Sequence, residues 1–187
     1  MAERAEMTPD QRFQVCATFT LHQEDQTDTG VFENDPRDAG GATRWGVTQA
    51  ALSDWFGRPA TVDEVRTLPR DTALLIARHK YWTPSRCDDL PAGVDYAVFD
   101  FAVNAGVARA AKFLQRAVGA VDDGVIGSGT LGLVAKTAPA KLLDNFANQK
   151  QRFYNGLATT NPSQQKFLKG WLARVDHVQD AAESMLA

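Results

Sequence analysis

Between Pro91 and Ala105 the chain carries Val94, Tyr96, Ala97, Val98, Phe99, Phe101, Ala102 and Val103. A helix built from these residues is apolar nearly all round, and such a helix is stable only at the centre of a fold. The rest of the chain must supply its cover, and 187 residues are enough for one domain with a full core. Asp100 sits inside this run and is costly to bury unpaired, so it needs a partner, with Arg44 or a helix N-terminus as candidates.

The flanking sequence reads as cover of that kind. Thr8-Pro9 caps and starts a first helix that carries Phe13, Cys16, Ala17, Thr20 and Leu21 at helical spacing and ends near His22 to Asp25. Thr48 is an N-cap for a helix to Phe56, which Gly57-Arg58-Pro59 stops. Thr61-Val62-Asp63-Glu64 has the spacing of a capping box. Further helical patterns cover about 70–81, 107–118, 128–137 and 139–157, with a last one from Pro162 towards the C-terminus. From Val31 to Val47 the chain reads instead as turns and short strands. The expected fold is mainly α: one compact domain, 1–187, with a small β-hairpin insert near the N-terminus. A main part spans 8–118 and a helical part spans 119–187.

Composition excludes several functions. The formal charge of −3 argues against a general nucleic-acid binder. No apolar run approaches the length of a bilayer span, and the acidic start Met1-Ala2-Glu3-Arg4-Ala5-Glu6 shows no secretory signal. Two cysteines, Cys16 and Cys87, do not make a disulfide framework. His22, His79 and His177 have no ligand spacing, so neither a metal site nor a cofactor is expected.

One stretch is too polar and too rich in glycine to bury much of itself. Residues 33–48, Glu33-Asn34-Asp35-Pro36-Arg37-Asp38-Ala39-Gly40-Gly41-Ala42-Thr43-Arg44-Trp45-Gly46-Val47-Thr48, hold three acids, three glycines and two threonines. Just upstream, Glu24 stands at the end of an apolar helix. An acid so placed can face a cleft as a proton donor while its neighbours are buried, with Asp35 or Asp38 as its partner. The same residues also read as a solvated helix-end glutamate and turn-forming aspartates.

The stretch resembles the signature of the glycoside hydrolase family 108 lysozymes, a group of phage endolysins and secretion-associated N-acetylmuramidases. Asp35-Pro36 through Thr48 matches the second half of the family pattern, Asp-Pro then Asp-Pro-Gly-Gly-x-Thr-x-x-Gly-Ile-Thr. Tyr81-Trp82 and Val98 to Gly106 resemble the family's central helix and its approach, and Asp122 to Leu131 resembles its C-terminal peptidoglycan-binding region. The resemblance implies a lysozyme-like α+β fold and hydrolysis of the β-1,4 bond between N-acetylmuramic acid and N-acetylglucosamine. Glu24 would be the general acid, and Asp38 and Thr43 would hold or activate the attacking water. Trp45, Tyr81 and Trp82 would offer rings to sugars, and Asn104 a hydrogen bond, although each ring also reads as core. Trp55 and Trp171, in helical patterns, read as packing residues.

The sequence departs from the pattern at one point. The family's acid directly precedes Gly-Gly-aromatic, whereas here Thr29 precedes Gly30-Val31-Phe32. Either Glu24 is the acid and Asp25 to Thr29 are inserted after it, or Thr29 replaces the acid. Helix phase favours the first reading, because Glu24 follows Leu21 by three residues. Glu33 and Asp28 are the fallback acids. The second reading leaves a non-catalytic wall-binding module, and a lytic transglycosylase is a third possibility. The hydrolase reading implies a monomer made in the cytoplasm, released through a holin or serving protein release, with peptidoglycan glycan strands as partner.

Overall fold

The computed structural model describes residues 7–24, 30–34 and 41–186, and for 21–24 the backbone alone. Among the described residues the fold is mainly helical with one small antiparallel hairpin, the lysozyme-like α+β class expected. It divides into two compact units, 1–80 and 81–187. The expected division near residue 118 therefore falls inside the second unit.

The first unit begins with α1 (Pro9–Glu24). Thr8 and Gln11 cap it reciprocally, backbone to side chain, at 2.8 and 3.3 Å. Phe13, Cys16, Ala17 and Thr20 form its buried side. The hairpin follows as β1 (Thr43–Arg44) and β2 (Val47–Thr48), then α2 (Gln49–Phe56), α3 (Val62–Arg66) and α4 (Arg70–Ala77). Thr48 caps α2 by accepting from the Ala51 amide, and Gly57 ends that helix in the left-handed region. Both halves of the Thr61–Glu64 capping box are made. Val47, Leu52, Val65, Leu68, Ala73 and Ile76 bury one shared core beneath the hairpin, with Phe32 and Trp45 packed against it. The helix expected to run to Tyr81 is α-helical only to Ala77 and continues as a wider π turn, Arg78–Trp82.

The second unit is organised around α5 (Val94–Ala105), in which every residue from Val94 to Ala102 is buried. α6 (Val107–Val118), α7 (Ser128–Val134), α8 (Pro139–Thr160) and α9 (Gln165–Ser184) follow. α6, α8 and α9 all pack on α5. Phe101 meets Phe113, Phe146 and Tyr154 at ring separations of 4.9–6.4 Å. At the N-terminus of α5, a Cβ on Gly93 would fall 2.3 Å from the Ala182 carbonyl oxygen, so only glycine allows α9 this close. Asp100 does find partners, but not Arg44. Its carboxylate accepts from Arg174 at 2.8 and 3.0 Å and from the buried Lys150 at 3.4 Å. Burial holds the Lys150 ammonium below its ordinary pKa, against the opposing pull of Asp100. Arg44 is spent within the first unit, donating to the carbonyls of Gly30 and Arg66.

Candidate active site

The hairpin is extended on one edge by residue 33. Glu33 and Thr43 exchange backbone hydrogen bonds of 2.9 and 2.8 Å, and Thr43 pairs in turn with Thr48. Directly paired residues of an antiparallel ladder project to the same face. Glu33, Thr43 and Thr48 therefore form one row, while Phe32, Arg44 and Val47 take the other face. That other face is the inner one: Val47 is buried and Phe32 packs on the core. The Glu33–Thr43 face is thus the one turned away from the core. The Thr48 hydroxyl is engaged at the helix cap, but the half-buried Thr43 hydroxyl has no hydrogen-bond partner among the described residues.

Trp45 occupies the turn between β1 and β2 with a φ of 54°. Its indole N–H donates to the Leu68 carbonyl at 3.1 Å, and its ring packs against Gly30. This sequence-derived sugar-stacking residue is half-buried, and its contacts fasten the hairpin to the core and to the segment before it. Gly30-Val31-Phe32 therefore stands against the hairpin, with Arg66 over the Phe32 ring at 4.8 Å.

Glu24 is the last residue of α1, and its side chain lies outside the described residues. Asp38 and Asp28 lie outside them altogether. Tyr81, Trp82 and Asn104 belong to the second unit. Tyr81 is half-buried, and Asn104 is exposed, its amide donating to the Asp100 carbonyl at 2.7 Å. Trp82 corrects the sequence reading. It has no exposed surface, donates to Asp88 at 2.7 Å and packs edge-on against Phe99, so it offers no ring face to a sugar. Trp55 departs from expectation in the opposite sense: it is 38% exposed and stands edge-on to His79, beside an Asp54–Lys80 ion pair of 3.1 Å.

Sequence reasoning also passed over Gln115. Its buried amide donates to Asp123 at 2.7 Å, to the Val125 carbonyl at 3.0 Å and to Thr130 at 3.3 Å, and it accepts from the Gly124 amide at 2.9 Å. The turn at 123–125 is built on that one side chain, whose hydrogen bond also lowers the Asp123 pKa. A lone glutamine in a helical pattern gives no sequence signal of such a role.

The family model described as glycosyl hydrolase 108 matches residues 18–106, and one described as a predicted peptidoglycan domain matches residues 109–176. The structure of Brucella abortus SagA is 39% identical to this chain, covering 92% of it and 94% of that chain, with a TM-score of 0.78. The chain belongs to the glycosyl hydrolase 108 family. Among curated proteins nothing matches. This family 108 member is a glycoside hydrolase with peptidoglycan as its partner. The Glu33–Thr43 row and Trp45 lie in the hydrolase match, and the turn organised by Gln115 lies in the peptidoglycan-domain match.

Proposed function

We propose that the protein is an N-acetylmuramidase that hydrolyses the β-1,4 bond between N-acetylmuramic acid and N-acetylglucosamine, in the manner of a phage endolysin. The observation that carries this reading is the outward Thr43 hydroxyl, uncommitted within a hairpin that Gly30, Trp45 and Arg44 hold in place. A fixed hydroxyl of this kind is suited to holding a water. Glu24, ending the helix that leads towards this hairpin in sequence, donates the proton to the leaving oxygen, and Asp38 assists the water. The enzyme acts as a monomer on the wall, and a holin releases it from the cytoplasm.

Clearing of purified cell walls, followed by turbidity for the parent and Glu24→Gln, tests the reading. Clearing by the parent that is lost in Glu24→Gln supports it. A parent that sediments with walls and never clears them sinks it in favour of a binding module. Mass spectrometry of the products adds a second arm, because hydrolysis leaves a reducing-end sugar and a transglycosylase leaves an anhydro-sugar.

A further inference from the structure

We propose that Glu33 is the carboxylate that takes the proton from the attacking water, with Thr43 holding that water beside it. The inference rests on the hydrolytic reading above. Its basis is the ladder register: Glu33 and Thr43 are directly paired, so their side chains leave the same face, and that face points away from the core. In a hydrogen-bonded antiparallel pair the two Cα atoms stand about 5.5 Å apart, so one water can bridge a carboxylate and a hydroxyl at these positions.

Four of the other five carboxylates with described side chains in the first unit are ion-paired. Asp10 is held by Arg78 at 2.5 Å, Asp54 by Lys80 at 3.1 Å, Asp63 by Arg66 at 3.7 Å and Glu64 by Arg58 at 2.7 Å. Asp71 lies in the first turn of α4, where the helix dipole favours a negative charge. Glu33 is exposed and has no ion-pair partner among the described residues.

The step balances without a further reactant. The water oxygen bonds to the anomeric carbon while one of its protons passes to the Glu33 carboxylate. The glycosidic C–O bond breaks, its electron pair goes to the leaving oxygen, and that oxygen takes the proton from Glu24. Direct attack by water inverts the anomeric centre, so the β-linked substrate yields an α-configured product first.

Steady-state kinetics on peptide-free glycan strands from peptidoglycan test this with Glu33→Gln, whose exposed position leaves the fold intact by thermal melting. The expected result is a kcat about 100-fold lower or more, a nearly unchanged KM and a flattened acid limb in the kcat profile. Sodium azide, a nucleophile that needs no base, restores turnover and forms a glycosyl azide, and proton NMR of fresh parent product shows the α anomer. A kcat within about fivefold of the parent, a change confined to KM, or a β anomer as first product overturns the proposal. A parent inactive on the strands instead fails the hydrolytic reading itself and takes this inference with it. An active parent with a silent Glu33→Gln sinks the inference alone.

Discussion

The ring of Trp45 lies so close to Gly30 that a Cβ built at position 30 falls 2.2 Å from Cε2 of the indole. Gly30 also has a φ of 65°, which disfavours any side chain. Gly30→Ala should therefore destabilise the protein by about 1–3 kcal/mol through overpacking and abolish wall clearing as the hairpin shifts. The double variant Gly30→Ala with Trp45→Ala should lose less than the sum of the two single changes, because the clash is removed with the ring. Denaturant melts of the four proteins measure the coupling, and strict additivity would refute the contact's role.

The Arg58 guanidinium and the Thr61 amide together hold the Glu64 carboxyl at a pKa of about 2, against an ordinary value of 4.5. A carboxylate whose pKa is depressed on folding adds stability that is complete above its unfolded pKa and disappears as pH falls through the folded one. The stability difference between the parent and Glu64→Gln should thus be flat above about pH 5.5 and shrink between about pH 4.5 and pH 2. Urea titrations at stepped pH read this directly. A difference that grew on acidification would contradict the assignment.

Asp100 accepts from both Lys150 and Arg174, with 3%, 18% and 1% side-chain exposure for the lysine, the arginine and the aspartate. Asp100→Asn removes the anion that Lys150 and Arg174 share and should cost about 3–5 kcal/mol. Lys150→Met leaves the Asp100–Arg174 pair balanced in charge and should cost clearly less. Equilibrium unfolding gives the order, and equal losses would mean that charge balance is not what the cluster supplies.

Gln115→Leu removes every hydrogen bond that the glutamine side chain makes to the turn at 123–125 and to Thr130. A drop of about 1–3 kcal/mol follows from the buried groups left without partners. The more specific sign is local: the Gly124 amide, which donates to Gln115 in the parent, should exchange with solvent much faster. Unchanged protection at Gly124 would show that the turn stands without Gln115.

Features decided by adjacent residues were legible in the sequence. Thr48 and Thr61 announce their helices because cap chemistry acts across three residues, and α5 declares its burial by having no polar side. Features decided at long range were not. The partners of Asp100 lie 50 and 74 residues away on α8 and α9, and nothing near Asp100 names them. Trp55 and Trp82 depart from expectation for the same reason. Whether each ring is enclosed depends on its long-range partners within its own unit, and helical spacing does not encode that. Glu33 beside Thr43 is an intermediate case: both residues are conspicuous, but only strand pairing places them side by side. At the site itself, the sequence indicates which residue types are present, while the register supplies their neighbours.

The contact between Gly93 and Ala182 has a consequence for biosynthesis. α5 has no face that water would tolerate, yet α9, which carries Arg174 and meets Gly93, is synthesised some seventy residues later. On the ribosome, the central helix therefore emerges long before its final wall exists. A nascent chain that ends before α9 lacks both the Arg174 partner of Asp100 and the helix that meets Gly93. The carboxylate of Asp100 therefore gains its second cation only when the last described helix is made.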